Sequence, residues 1–297
     1  MTITSLGESL LANILCAAII SAASQIRIKW VKSRKKLDPR SVKASFLWIL
    51  GPWILSNVIN VLWISYKSPP IANGNSLINT ISIVSVPLIS SVLCFWIIWR
   101  QLDEFWRVGI YGADVQVQQG IDYERALSIC KESLSFMGTG ARKLTEQSNF
   151  HATLSNCRRD KPIRFLLSKP TDPMLREAAR NARKPEYEYV NNVTDSLQIL
   201  SRLKLQQGLN IEVRFYPESS AYLPIFRLMI IDDAVCLLSY NYFGEVGEGR
   251  QLPQLHIARP SAAAGSVKYT FFYPLEGYFE WLWKLAEKDK WDFKEFI

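Results

Sequence analysis

The chain has 297 residues, 48% of them hydrophobic, which is enough apolar material for one large domain or two modest ones. Its five cysteines (Cys16, Cys94, Cys130, Cys157, Cys236) are scattered without a CxxC spacing and it has only His151 and His256, so a Cys-cluster or His-rich metal site is excluded; reduced, mostly buried thiols are expected, with no metal and no cofactor. Of the 35 basic residues nine precede residue 100, against two of the 27 acidic ones, so this third carries +7 of the formal +8 and the remainder is almost neutral.

Residues 45–66 and 78–99 each run without a charged side chain for the roughly 20 residues that an α-helix needs to cross a bilayer. A weaker apolar stretch, 6–26, contains Glu8 and Asn13 and is either a third span or a helix lying at the interface. No basic segment precedes it, which argues against a cleaved signal peptide. Between the first and second stretches lie Arg27, Lys29, Lys32, Arg34, Lys35, Lys36, Arg40 and Lys43. The positive-inside rule puts this basic loop, 27–43, in the cytoplasm, and the same loop suits anionic headgroups. Residues 67–77 then face outside, and the third stretch returns at Trp99 and Arg100. The expected organisation is therefore a multi-pass transmembrane region, 1–103, followed by a cytoplasmic domain, 104–297. Trp48, Trp63, Tyr66, Trp96 and Trp99 sit near the segment ends, where aromatic rings favour the headgroup region. Asn57, Asn60 and Pro87 lie inside segments and prefer a protein neighbour to lipid, either within the chain or in a homo-oligomer or pore.

From 104 onward, helical and strand patterns alternate, which predicts an α/β domain. A connecting stretch contains Gly109, Gly112 and Gly120. Helices are expected over 122–133, 141–159, 173–183, 191–207 and 275–288, and short strands over 134–137, 163–167, 211–216, 227–231, 235–239 and 255–258. In the last helix Tyr278, Trp281, Leu282 and Leu285 recur at helical spacing, the mark of a core-facing stripe.

Gly138-Thr139-Gly140 joins a strand to a helix N-terminus, either as a tight turn or as an anion site. The run from Ile225 to Asn241 resembles the second half of the phospholipase D superfamily motif, in which His-x-Lys, four residues and Asp precede Gly-Ser-x-Asn. Arg227 stands at the Lys position, Asp232 at the Asp, and Ser239 and Asn241 at the Ser and Asn. Ile225, however, occupies the place of the nucleophilic His and Leu238 that of the Gly. Isoleucine has no lone pair with which to attack phosphorus, so phosphodiesterase chemistry of this type is not expected. The resemblance extends over about 130–285 and implies one phospholipase-D-like unit lacking its catalytic residue.

Arg164, Arg214 and Arg227 each interrupt an apolar strand. Either they pair with Glu212, Asp232 or Asp233, or they converge on the former active site and hold a phosphate-bearing ligand or nucleic acid, together with Asp232, Ser239 and Asn241. His151 and His256 have no motif partner.

Membrane helices joined to such a domain look like the transmembrane effectors of anti-phage systems encoded beside retron reverse transcriptases. What the resemblance implies is an abortive-infection toxin, restrained by a reverse transcriptase with its multicopy single-stranded DNA and released to damage the inner membrane. A cyclic-nucleotide-responsive membrane effector is one alternative, and a membrane-bound phosphodiesterase or nuclease another. The near-neutral domain should bind nucleic acid weakly by itself, so DNA association should run through a partner protein.

Overall fold

A computed structural model describes residues 89, 92, 93, 96, 99, 100 and 103–297, apart from 158–159, 218–225, 242–250, 261–269 and 294–297. The chain divides into two compact units, Met1–Glu104 and Phe105–Ile297. In the first, Ile89, Val92, Leu93 and Trp96 are helical and each more than half exposed, and their spacing puts them on one helix face. Among the described residues no helix is long and apolar enough to cross a membrane; the predicted spans 6–26 and 45–66, most of 78–99 and the basic loop 27–43 lie outside the described residues.

The second unit is an α/β domain built on one mixed sheet. Its strands are β1 Ile110–Asp114, β2 Leu134–Met137, β3 Ile163–Leu167, β4 Ile211–Phe215, β5 Phe226–Ile231, β6 Val235–Tyr240 and β7 Gln254–Ala258, in the order β1-β7-β6-β5-β2-β3-β4. β2, β3 and β4 are parallel, and the other pairings are antiparallel. The helices are α1 Tyr123–Ile129, α2 Arg142–Thr145, α3 Phe150–Asn156, α4 Pro173–Asn181, α5 Glu188–Gln207 and α6 Phe272–Leu285.

The apolar periodicity assigns each helix to a face. Leu127, Leu144, Phe150, Leu154, Leu175, Val193, Leu197 and Leu200 place α1 to α5 in one core, against Phe136, Phe165, Val213, Met229 and Leu237 of the sheet. Phe272, Phe279 and Trp283 of α6 close the opposite face over Met137, Leu166, Leu228 and Ile230. Alternation along each strand therefore decides which layer a side chain enters.

Local signals explain the element ends. Asp122 caps α1 by accepting from the Arg125 amide, and Asp172 caps α4 by accepting from Met174, with Pro173 at its first turn. Gly208, at φ +67°, ends α5 in the left-handed region. Asp232 and Asp233, at φ +53° and +49°, turn β5 into β6, closed by the Ala234 amide on the Ile231 carbonyl at 3.0 Å.

Three expectations need correction. The helix foreseen over 141–159 is two, α2 and α3, with the Phe150 amide bonded back to Gln147 between them. The connecting stretch contains β1, which pairs with β7 at the sheet edge. In α6, Tyr278, Trp281 and Leu285 are 39–56% exposed, while Phe272, Phe279 and Trp283 face the core. Both stripes have helical spacing, and the sheet selects the second.

Candidate functional site

The motif residues of β5 and β6 are paired across the sheet: Arg227 lies opposite Ser239, and Ser239 opposite Gln254 of β7, which in turn lies opposite Asp114 of β1. All four point to the face covered by α1. Arg227 is 8% exposed; its Nε donates to Ser239 Oγ at 2.8 Å, its Nη1 donates to the Tyr123 hydroxyl at 2.7 Å, and its guanidinium stands 5.4 Å from the Tyr123 ring centroid. Tyr123 reaches this position from the first turn of α1, which Asp122 starts. The space left between Arg227, Ser239, Gln254, Tyr123 and Phe136 is about 10 Å³, room for roughly one water molecule. A phosphodiester does not fit there.

The ladder continues to a histidine. His256 Nε2 is 2.7 Å from Asp114 Oδ2, and both side chains are nearly buried. The same oxygen accepts from the Ile121 amide at 2.8 Å, and Gln254 Nε2 donates to the Ile121 carbonyl at 2.9 Å. Burial works to raise the Asp114 pKa, but the hydrogen bonds from His256, Ile121 and Gln254 and the His256 charge outweigh it and hold the carboxyl below its ordinary value. Gly112 and Gly120 are required by this arrangement. A Cβ on Gly112 would sit 2.9 Å from His256 Nδ1, and one on Gly120 would overlap the Asp114 carboxylate. The Asp114–His256 pair escaped sequence reasoning because β1 did; the one available sign was a histidine in alternation with inward residues of β7.

Asp232 is elsewhere, at the opposite end of β5. Its carboxylate accepts from the amides of Lys131, Glu132 and Ser133 at 2.7–3.1 Å, so it holds the chain between α1 and β2. Asn241 lies at the Arg227 end of the sheet, where its Nδ2 donates to Thr139 Oγ1 at 3.4 Å. Ile225 lies outside the described residues.

Arg164 and Arg214 do not converge with Arg227. Arg164 is in register with Ser135 and, through it, with Ile230; Arg214 is in register with Leu166, Met137 and Leu228. Both therefore enter the α6 layer, one residue out of phase with Arg227. Arg164 pairs with Glu280 at 2.7 Å, donates to Ser135 Oγ at 3.1 Å and stands 4.9 Å from the Phe279 ring. Arg214 donates to the Trp283 carbonyl at 2.6 Å, stands 4.3 Å from that indole ring and lies 3.8 Å from Glu212. These contacts fasten α6 to the sheet. A six-residue cleft of Arg164, Arg214, Arg227, Asp232, Ser239 and Asn241 is thus resolved into four places: Arg227 and Ser239 in a buried network under α1, Asp232 as a loop anchor, Arg164 and Arg214 as a helix clamp, and Asn241 on Thr139.

The Gly138-Thr139-Gly140 segment is a packing turn. A Cβ on Gly138 would meet the Phe136 ring at 3.1 Å and one on Gly140 would meet Val193 at 3.2 Å. The Ala141 amide that opens α2 is already bonded to Ser196 Oγ at 3.1 Å. His151 is exposed on α3. Among the described residues no group of His, Cys, Asp and Glu side chains is arranged to hold a metal ion.

No protein-family model and no curated protein matches the sequence. Among solved structures the chain is similar to Nuc, a phospholipase D family member from Salmonella typhimurium, with 9% identity, a TM-score of 0.35, and coverage of 57% of this chain and 87% of that one. It is also similar to the phosphatidylserine synthase of Haemophilus influenzae Rd KW20, with 12% identity, a TM-score of 0.35, and coverage of 57% of this chain and 35% of that one.

Proposed function

We propose that this protein is a membrane-anchored effector of bacterial antiviral defence, held inactive by a retron reverse transcriptase and its multicopy single-stranded DNA, and disrupting the inner membrane once released. The unit Phe105–Ile297 serves as the receiver of restraint rather than as a phosphodiesterase.

The observation that carries the non-hydrolytic part is the occupied neighbourhood of Arg227. In the resembled motif the basic residue stands two positions after a nucleophilic histidine. Here Ile225 replaces the histidine, and the Arg227 guanidinium is bonded to Ser239 and Tyr123 over a space too small for substrate. An arginine buried in this way and bonded through Nε and Nη1 to its own fold acts in stability rather than on a transferred phosphoryl group.

The membrane part is supported by two uncharged stretches, by eight basic residues placed between them and the first apolar stretch, and by the exposed apolar face of Ile89, Val92, Leu93 and Trp96. The near-neutral charge after residue 99 supports recognition of a protein assembly over direct capture of DNA.

Affinity purification of the full chain from its own host tests the partner. Recovery of a reverse transcriptase together with single-stranded DNA is the expected result. A nucleotide recovered one to one with the chain, and no polymerase, would replace this reading with that of a nucleotide-responsive effector.

A further inference from the structure

Two cysteines far apart in sequence meet at the ends of neighbouring helices. Cys130 is the C-cap of α1 and Cys157 the C-cap of α3, and their sulfurs are 3.7 Å apart. The two helices are held side by side by polar bonds: Thr153 Oγ1 donates to the Leu127 carbonyl at 3.4 Å and Asn149 Nδ2 to the Glu124 carbonyl at 2.9 Å. Both thiols are buried, at 7% and 6% exposure, but each adjoins exposed positions, Lys131 and Glu132 on one side and Ser155 and Asn156 on the other. A small oxidant therefore has only a shallow layer to cross.

The geometry points to Cys130 and Cys157 as an oxidisable dithiol that closes to an intramolecular disulfide when the protein meets a hydroperoxide. A disulfide needs its sulfurs about 2.05 Å apart, so closure requires an approach of roughly 1.7 Å. Helix caps permit this: rotation of either side chain leaves the cap amides bonded to the Leu127 and Leu154 carbonyls. Cys236 is no competitor. It is fully buried on β6 in the core closed by α6, on the other face of the sheet, and burial pushes its thiol up to about 12.

The pair is also polarised. The bond between the two sulfurs, in which either can donate, raises the Cys130 thiol and lowers that of Cys157, because the Cys130 sulfur faces the Ser133 carbonyl at 3.4 Å and the Asp232 carboxylate at 3.8 Å, where a thiolate is disfavoured. Cys157 is thus the sulfur that attacks. Its thiolate displaces hydroxide from the peroxide, forming a sulfenic acid, and the Cys157 proton leaves with that hydroxide as water. The Cys130 sulfur then attacks the sulfenic sulfur, its proton joins the departing hydroxyl, and a second water is released. Two thiols are oxidised to one disulfide and one hydroperoxide is reduced.

The test exposes the full chain in its membrane fraction to hydrogen peroxide, blocks free thiols with N-ethylmaleimide under denaturing conditions, and maps the peptides by mass spectrometry. A peptide pair joined through Cys130 and Cys157, with Cys16, Cys94 and Cys236 alkylated, is the expected result. Five alkylated cysteines, a disulfide through any other pair, or Cys157 oxidised to sulfinic acid beside a free Cys130 would overturn it. The Cys130→Ser variant adds an independent check: a dimedone-reactive sulfenic acid should accumulate at Cys157, and its absence would contradict the assignment of the attacking sulfur.

Discussion

Asp232 stands where the resembled motif has its aspartate, so removing it separates a structural role from a chemical one. The carboxylate accepts from three consecutive amides, of which Lys131 and Glu132 are exposed and Ser133 is buried. A hydrogen bond to a charged group contributes about 1.5–3 kcal/mol, and the full amount is lost only where water cannot replace the acceptor. In Asp232→Ala the Ser133 amide loses its whole bond and the other two a fraction, for a total of about 3 kcal/mol. At about 2–4 °C per kcal/mol for a domain of this size, the unfolding midpoint should fall by roughly 6–12 °C. Asp232→Asn keeps one acceptor oxygen without the charge and should lie between. Differential scanning fluorimetry of the full chain in detergent reads both shifts. An Asp232→Ala protein that melts with the wild type yet has lost toxicity would refute the anchoring argument and return Asp232 to chemistry.

Other outcomes follow from the buried ladder. Arg227→Met and Tyr123→Phe should show a coupling of about 1–2 kcal/mol in a double-mutant cycle by urea unfolding, because each removes the other's partner at 2.7 Å. The Asp114 pKa lies below its unfolded value, so this group contributes stability that is fully present above about pH 4 and is lost as pH falls through the folded value. Asp114→Asn should therefore flatten the loss of stability between about pH 5 and about pH 3, measured by urea titration at each pH. Gly120→Ala drives a methyl group into the Asp114 carboxylate and should cost about 2–3 kcal/mol in the same assay.

Much of the sheet was legible because its central strands are short apolar runs bounded by turn residues. Leu134–Met137 and Ile163–Leu167 have the limits the sequence suggests. β1 was not legible, since Gly112, Ala113 and Asp114 have little strand character; pairing with β7 and the fit of Gly112 beneath His256 make it a strand. The site was less legible than the fold. An arginine inside an apolar strand signals a buried cation, but the face it enters depends on register between strands distant in sequence, which periodicity within one strand does not encode. One residue of phase separates Arg214, aligned with Leu228, from Arg227 beside it, and sends them to opposite layers. The outer stripe of α6 misled for a related reason: two faces of that helix are apolar, and only the position of the sheet distinguishes them.

Under the proposed function this chain acts on the bilayer and not on a phosphodiester bond. Inner-membrane potential, followed with a voltage-sensitive dye as the full chain is expressed without partners, tests it most directly. The potential should collapse at or before growth arrest, and equally so in an Asn241→Ala variant that removes a motif side chain at the Arg227 end of the sheet. Growth arrest at normal potential, accompanied by degradation of nucleic acid or phospholipid, would contradict the account.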